Sequence, residues 1–369
     1  MARRARSEPQ ASGAEPPRPA LRWPAEWEPH AATWLAWPHN PETWPGRLPA
    51  ARREFAGILR ALQPHEPVCL LVRDAAMEEE ARRALAAEGV DLERGLRFLH
   101  VPTNDAWARD TCPLFAVGAD GALLLLDFGF NAWGGKYPPW DLDDAVPRRI
   151  AERLGAQRLE PGFVLEGGSV DGNGQGAILT TEACLLHPNR GAGRSREQME
   201  ERLARWLGAR AVLWLGEGIC GDDTDGHVDD VARFVAPDAI AAALEPDPSD
   251  PNHAPLQANW QRLRSLRDPE GKPFRLTPLP MPPPRLANGQ RCPASYANFY
   301  LANGVALVPT FGAASDARAL AVLRECLPDR EVVGVPCREL VVGLGSIHCL
   351  TQQEPARLGA AGSRPAAGA

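Results

Sequence analysis

Four polar motifs interrupt the apolar pattern of this chain at nearly regular intervals, and this spacing is its most restrictive feature. They are the segments NDAWARD, LEGGS, DDTDGHVDD and SIHC, which contain Asp110, Glu166, His227 and Cys349. The first three lie roughly 60 residues apart, and the last follows after about twice that distance. Such a period indicates repeated structural units that each contribute one polar motif to a shared centre.

Between the motifs, short apolar runs alternate with segments of helical periodicity. Runs such as ALLLLDFGF and GVALVPTF predict buried strands, whereas ARREFAGILRAL and SREQMEERLARWLG carry apolar residues at helical spacing. Gly89, Gly155 and Gly208 stand where helices are expected to end. The alternation predicts an α/β fold. The proline-rich stretch 275–296 is expected to be a long connection and neither a helix nor a central strand.

The composition is that of a soluble globular protein, with 369 residues, 44% hydrophobic and 24% charged residues and a net charge of −7. Because the strand pattern resumes directly after the proline-rich stretch, we expect one domain over residues 21–355. Disordered tails are expected at 1–20 and 356–369. The acidic balance argues against a nucleic-acid partner, and the apolar runs are too short to cross a membrane.

The eight cysteines are scattered and form no CxxC pair, which argues against a zinc ribbon or a thioredoxin-type site. The first twenty residues lack the apolar core of a secretory signal. Together these features predict a cytoplasmic protein with free thiols.

Cys349 is a candidate nucleophile, although a free cysteine is often just a small buried hydrophobic residue. If SIHCL ends a strand, neighbouring side chains point to opposite faces, so His348 and Cys349 diverge. The base that activates the thiol would then come from elsewhere in the chain.

The best partner is His227, which lies among five aspartates. Along an extended segment, His227 and Asp229 point the same way and place an imidazole and a carboxylate on one wall. A solvated acidic turn and a metal site with one histidine are the alternatives, but the calcium-loop pattern does not fit. Glu166 precedes two glycines, which would let a ligand or a backbone come close. Alone, it would be an ordinary acid at a strand end.

A cysteine, a histidine and several carboxylates suit chemistry on a guanidinium group. Carboxylates bind the N–H edges of a planar guanidinium through charge-assisted hydrogen bonds, and a thiolate attacks its central carbon. The histidine supplies the proton for leaving ammonia and then activates water. This chemistry requires neither a metal nor an organic cofactor.

The motifs of the chain, taken together, resemble those of a known family. From about Arg22 to Pro355, the order of its motifs is similar to that of agmatine deiminases, which belong to the guanidine-modifying superfamily. The matching segments are RWPAEWEPHAATWLAWP, NDAWARDT, LEGGS, DDTDGHVDDVARF, PASYANFYLANGVALVPTFG and SIHCLTQQEP. The resemblance implies a pentein fold, a five-bladed α/β propeller of pseudo-symmetric ββαβ units around a central active site.

The resemblance also implies a reaction. Agmatine and water would give N-carbamoylputrescine and ammonia, as in putrescine and polyamine metabolism, through a covalent amidino-thioether on Cys349. His227 would be the general acid and base, and Glu166 would support both it and the guanidinium.

For substrate binding, the resemblance implies that Asp110 and Asp229 bind the guanidinium edges and that Trp107 lines the substrate channel. His348 has no catalytic role in this correspondence. We expect the protein to bind a small guanidino substrate and to bind neither nucleic acid nor a membrane. We also expect a homodimer, because this is the commonest oligomer of soluble proteins.

Four positions depart from the family pattern. Cys112 and Leu344 stand where family members commonly have glycine. Ser346 and Asp230 stand where they commonly have asparagine. None is a chemical group of the mapped site, but together they bear on substrate choice. A deiminase of free or peptidyl arginine, and a pentein protein that binds without turnover, are the alternative functions.

Overall fold

The computed structural model describes residues 21–191 and 193–357. The tail expected at residues 1–20 lies outside the described residues, as does the tail expected at 356–369 except for its first two residues. Within the described ranges, no helix is long and apolar enough to cross a membrane.

Nineteen short strands run through the described residues. They are β1 (Leu21–Arg22), β2 (His30–Ala36), β3 (Val68–Val72), β4 (Leu96–His100), β5 (Leu114–Gly118), β6 (Leu123–Leu126), β7 (Gln157–Leu159), β8 (Val170–Gly172), β9 (Ala177–Thr181), β10 (Ala211–Leu215), β11 (Ala232–Ala236), β12 (Ala239–Leu244), β13 (Arg275–Pro280), β14 (Leu286–Ala287), β15 (Gln290–Arg291), β16 (Tyr300–Ala302), β17 (Val305–Thr310), β18 (Glu331–Pro336) and β19 (Gln352–Pro355).

Helices of four to fifteen residues alternate with these strands. They are α1 (Leu48–Leu62), α2 (Ala75–Ala87), α3 (Ala108–Thr111), α4 (Ala132–Gly135), α5 (Val146–Leu154), α6 (Glu182–Leu185), α7 (Arg196–Leu207), α8 (His253–Ser265), α9 (Ser315–Cys326) and α10 (Ile347–Leu350). The fold is α/β, as the sequence predicted.

Four sheets repeat one pairing pattern, in which an antiparallel strand pair is followed by a helix and a third, parallel strand. They are β5-β6-β7, β8-β9-β10, β11-β12-β13 and β16-β17-β18, and the helices before their third strands are α5, α7, α8 and α9. Each of these sheets is thus a ββαβ unit. Strand β1 adds to the outer edge of β5.

A fifth sheet joins the two described ends of the chain. The last strand, β19, pairs antiparallel with β2, so that Gln352 lies opposite Trp34, and β3 and β4 continue this sheet in parallel. Helix α1 connects β2 to β3. The sheet therefore follows the same ββαβ order, with its first strand taken from the C-terminal end.

The ends of the helices agree with the local sequence. Helix α7 begins with a capping box, in which Ser195 and Gln198 satisfy each other's backbone N–H groups. Gly155 and Gly208 adopt left-handed backbone conformations at the ends of α5 and α7, and Gly89 does so just beyond α2. All three glycine predictions are confirmed.

Helix α1 illustrates how the helices are held on the sheets. Its apolar face buries Phe55, Ile58 and Leu59 completely, and the helix packs against β18, where Gly57 lies beside Val335. Full burial of such side chains contributes about 1.5–3 kcal/mol each. Packing of this kind sets the positions of the strand ends that carry the polar motifs.

Two local predictions were wrong. The proline-rich stretch is not entirely a connection, because its first six residues form the edge strand β13, which pairs in parallel with β12. The SIHC segment is not the end of a strand, because Ile347–Leu350 forms the four-residue helix α10. Helix α8, with modest amphipathicity, was not anticipated.

Candidate active site

Each polar motif lies directly before the first strand of one of the five sheets. Asp110 precedes β5, Glu166 precedes β8, Asp229 precedes β11 and Cys349 precedes β19. Before β16, the corresponding position is held by Asn298, which lies in the matching segment PASYANFYLANGVALVPTFG but was not named as a site residue. It fills the gap of two periods between His227 and Cys349. The gap itself was the signal that a fifth motif existed.

Gly168 marks the point where three of these motifs meet. A methyl group added to it would lie 2.5 Å from His227 Nδ1 and 3.1 Å from both Asp110 Oδ1 and Asp229 Oδ2. Its N–H donates to Asp110 Oδ1 at 2.9 Å. The prediction that the glycines of LEGGS allow close approach is thus confirmed.

His227 and Asp229 reach this point by a different route from the one expected. Val228–Asp230 forms a 3-10 turn and not an extended segment, and His227 precedes it. The N–H of His227 donates to Asp222 Oδ2 and Thr224 Oγ1, both at 3.1 Å, which holds the loop in place.

Cys349 lies on α10, is partly exposed and faces a cavity. Its Sγ lies 3.7 Å from Asp229 Oδ2 and accepts a hydrogen bond from Asn298 Nδ2 at 3.1 Å. Burial, followed by the charges of Asp229, Asp230 and Asp110, raises the pKa of Cys349 well above its usual value. In the ligand-free site the sulfur is therefore a thiol.

His348 does not diverge from Cys349 as the strand interpretation required. Its Nδ1 lies 2.7 Å from Asp229 Oδ2, the same oxygen that the Cys349 thiol faces, and its Nε2 lies 2.8 Å from Glu26 Oε2. Adjacent residues on a helix are about 100° apart and not 180°, so both reach one carboxylate. The bond from His348 helps to lower the pKa of Asp229 against the effect of burial, which would raise it.

Arg109 is turned away from the cavity. Its guanidinium donates to Glu26 Oε2 at 3.1 Å, to Gln353 Oε1 at 2.9 Å and to the carbonyl of His348 at 3.3 Å. Glu26 also pairs with Arg233, at 2.9 Å. These buried charged residues pair with one another and not with groups in the cavity, so Arg109 is not free to bind a ligand.

The groups around His227 favour its protonated form. Burial alone would lower the pKa of His227, but Asp110, whose Oδ2 lies 3.9 Å from Nδ1, and the Cys184 thiol together raise it well above its usual value. The imidazolium form is the one that can give a proton to a leaving group.

Glu166 is completely buried and only half satisfied. Its Oε1 accepts from Arg190 Nε at 2.8 Å, whereas its Oε2 has no hydrogen-bond partner among the described residues. Arg190 also donates to Asp225 and to the carbonyl of Thr224. Arg190 thus ties Glu166 to the loop that carries His227. Sequence analysis missed it, because an arginine in the helical turn Pro188–Arg190 has no distinguishing pattern.

Glu166, Cys184 and His227 are the described residues whose ligand atoms come close enough together for a metal ion, all within 4.8 Å of one another. Arg190 places a fixed positive charge on the same carboxylate, which opposes the binding of a second cation. The expectation of a site without metal or cofactor stays a prediction.

The cavity above these groups has a volume of about 800 Å³ and is walled by tryptophans. Trp107 lines it, as predicted, and packs against Trp44 with ring centroids 5.5 Å apart. Trp133, which was not predicted, donates from Nε1 to Asp110 Oδ2 at 2.9 Å. It has a positive φ of 54° beside two glycines, and the NAWGG segment was the available signal for an unusual turn.

The four departures from the family pattern have different surroundings. Cys112 packs in an apolar core and is not among the residues that line the cavity. Leu344 and Asp230 do line it, and Leu344 adopts a left-handed backbone conformation with φ of 72°. Ser346 is buried and donates to Asn298 Oδ1 at 2.8 Å.

Known proteins are similar to this chain over nearly all of its described residues. The agmatine deiminase of Ectopseudomonas mendocina is 39% identical over 360 residues, which cover 91% of this chain and 96% of that protein. A solved structure of the agmatine deiminase of Enterococcus faecalis has a TM-score of 0.86 and 35% identity, covering 92% of this chain and 97% of that one. An agmatine deiminase of C. jejuni with a cysteine-to-serine substitution and bound substrate has a TM-score of 0.83 and 30% identity, with the same coverage of both chains.

The family model of the Porphyromonas-type peptidyl-arginine deiminases matches residues 22–355. These limits agree with those of the sequence motifs, from Arg22 to Pro355. Because the match spans all five ββαβ units and every polar motif, this chain belongs to that family.

Proposed function

We propose that this protein is an agmatine deiminase, which hydrolyses agmatine to N-carbamoylputrescine and ammonia through a covalent amidino-thioether on Cys349. The relatives named above carry that activity in their descriptions and align over nearly their whole length. In the C. jejuni relative, a cysteine-to-serine variant holds substrate, which is consistent with a cysteine nucleophile in these proteins.

One observation carries the proposal: two buried carboxylates of the site each keep one oxygen without a partner in the described part of the chain. Asp229 lies beside the thiol of Cys349, and Glu166 lies within 4.8 Å of His227. Glu166 Oε2 and Asp229 Oδ1 are both buried without a hydrogen bond among the described residues. Buried polar atoms are almost always paired, so two such oxygens at one site are acceptors available to a ligand that carries several donors. A guanidinium, with five N–H donors in one plane, satisfies such a set.

Substrate binding and activation of the thiol are coupled. The carboxylates that raise the pKa of Cys349 are the groups that bind the cation, so a bound guanidinium offsets their charge and favours the thiolate. The thiol proton leaves towards Asp229 Oδ2, which it already faces. The thiolate forms only when the carbon it will attack is in place.

The covalent steps then follow. Cys349 Sγ bonds to the guanidinium carbon, and the imidazolium of His227 gives its proton to the departing nitrogen as the C–N bond breaks and ammonia leaves. The neutral His227 next takes a proton from water, whose oxygen attacks the same carbon. Breakage of the C–S bond then expels the thiolate, which takes back the proton held by Asp229. The hydroxyl group on the attacked carbon loses its proton to the released ammonia as the ureido product forms.

The charges of the cavity favour a substrate with a cationic tail. Asp105 and Asp223 line it beyond the reacting groups. Of the basic residues that line it, Lys136 is bound to Asp225, Arg291 is bound to Asp250, and Arg73 is exposed. Arg109, the candidate partner for an α-carboxylate, bonds to Glu26 on the other side. This balance supports agmatine over free arginine.

We also propose that residues 21–355 form a single domain in which the five ββαβ units close into a five-bladed propeller around this site. The pairing of β19 with β2 supports closure. A homodimer and a cytoplasmic location complete the proposal. Light scattering of the purified protein, and fractionation of the cells that express it, would test these two parts.

The first test is ammonia release from agmatine, free arginine and a peptide containing arginine. We expect release from agmatine, its loss in Cys349→Ala, and its retention in the control Cys220→Ala, since Cys220 is exposed and does not line the cavity. Circular dichroism must show that each variant is folded. Release from an arginine substrate alone would assign that substrate instead. No release from any of the three by folded wild-type protein would favour the binding-protein alternative.

A further inference from the structure

Asn298 joins the nucleophile to the loop that carries it. Its side-chain oxygen accepts hydrogen bonds from Ser346 Oγ at 2.8 Å and from the backbone N–H of His348 at 3.0 Å. Its backbone carbonyl accepts from the same N–H of His348 at 3.2 Å. The side chain is completely buried.

These contacts determine which way the amide faces. Oδ1 also accepts from the backbone N–H of Cys349, at 3.4 Å. Because Oδ1 is turned towards three donors, Nδ2 must lie on the opposite side, where it meets Cys349 Sγ and Asp230 Oδ1, each at 3.1 Å. An amide nitrogen has two hydrogens, and each of them has an acceptor here. The orientation follows from the network and leaves no choice of flip.

A donor at this place is significant because of the charge around the sulfur. Asp110, Asp229 and Asp230 all oppose a thiolate at Cys349. A guanidinium bound to Asp110 and Asp229 offsets part of that charge, but the sulfur gains its own charge as the thiol proton leaves. A hydrogen bond to the charged form of a group favours that form.

The position of Asn298 in the repeat agrees with such a role. It stands before β16, as Asp110, Glu166, Asp229 and Cys349 stand before the first strands of the other four sheets. The pseudo-repeat therefore brings five polar positions to one centre, and the fifth is the only amide among three carboxylates and a thiol.

We propose that Asn298 is a positioning residue for the nucleophile: its Nδ2 holds Cys349 Sγ towards the substrate and donates a hydrogen bond to the thiolate, while Asp230 anchors the amide. The proposal rests on the proposed function for its kinetic consequence. The state of the thiol without substrate is independent of it.

The test exchanges donor and acceptor across one hydrogen bond. The double variant Asn298→Asp with Asp230→Asn keeps a bond between positions 298 and 230 and keeps the acceptor for Ser346 and His348. The atom that faces Cys349 Sγ becomes an oxygen. The single variant Asp230→Asn retains the donor to sulfur, and Ser346→Ala loosens the loop without touching that donor.

The measurement is the rate of alkylation of Cys349 by iodoacetamide as a function of pH, followed by mass spectrometry of its peptide. We expect the double variant to react about tenfold more slowly near neutral pH, with the midpoint of the pH profile shifted upward by about one unit. Asp230→Asn and Ser346→Ala should keep the wild-type rate or exceed it. With agmatine, kcat should fall in the double variant far more than KM rises.

Each outcome separates a positioning role from a structural one. An unshifted pH midpoint in the folded double variant would overturn the proposal. Equal slowing in Ser346→Ala would overturn it as well, because loss of loop order would then explain the effect. A shifted alkylation profile in a wild-type protein that does not hydrolyse agmatine would sustain the role of Asn298 while refuting the proposed function.

Discussion

The substitution Gly168→Ala tests the convergence of the site most directly. The added methyl group would lie 2.5 Å from His227 Nδ1 and 3.1 Å from Asp110 Oδ1 and Asp229 Oδ2. All three side chains are buried, so none can move aside freely. Overpacking of this kind costs about 1–3 kcal/mol of stability. A displacement of catalytic groups by about 1 Å costs on the order of 100-fold in rate, so kcat/KM for agmatine should fall by about that factor.

The control is Gly129→Ala, whose added methyl group would have its nearest contacts at 3.6 Å, an ordinary packing distance. It should retain activity within about threefold and lose at most about 1 kcal/mol of stability, as most substitutions away from special sites do. Urea unfolding and initial rates of ammonia release should be measured for both variants. If Gly168→Ala is folded and retains wild-type kcat/KM, then the three groups do not act together at this point and the assignment of the site is wrong.

Two further predictions concern buried charges. Arg190→Leu should lower the free energy of unfolding by about 3–5 kcal/mol, because it leaves Glu166 buried without its partner. The control Arg275→Leu, which removes an exposed pair with Asp238, should lower it by at most about 1 kcal/mol. Equal losses of stability in urea titrations would show that Arg190 is not structural. Burial, with a contribution from Asp105, raises the pKa of Asp143 to about 8. The folded state therefore holds a proton on Asp143 that the unfolded state releases near pH 4. Because the folded state binds this extra proton, the free energy of unfolding should fall as the pH rises between about 4 and 8. Asp143→Asn should flatten that decline in melting temperature, and an unchanged slope would contradict the assignment.

Local rules were sufficient for much of the fold. Alternating apolar runs and helical periodicities predicted the α/β class, and the left-handed glycines at the ends of α5 and α7 followed from helix-end chemistry. The proline-rich strand β13 was not foreseen, because proline is excluded from central strands but is tolerated at an edge, and edge position is a tertiary property. Helix α10 was missed because four residues carry no periodicity.

The site was predicted in part, by the motifs that have a distinctive composition. Asp110, Glu166, His227, Asp229 and Cys349 were named and lie together, and Trp107 lines the cavity. Arg190 and Asn298 were missed, because arginine and asparagine are ordinary residues away from a charged or glycine-rich cluster. Trp133 was missed although two glycines follow it directly. For Asn298, the missing step in a spacing of roughly 60 residues was the available signal.

The sequence by itself determined the succession of strands and helices, the ends of the longer helices and the family, because these depend on residues close together in the chain or on motifs in a fixed order. The tertiary structure alone decided where each polar atom points. It turned Arg109 towards Glu26, brought His348 and Cys349 to one oxygen of Asp229, and set the amide of Asn298 with its nitrogen towards the sulfur. These orientations result from hydrogen bonds between residues that are 51 to 120 positions apart in the chain. Such contacts exist only once the sheets have packed together.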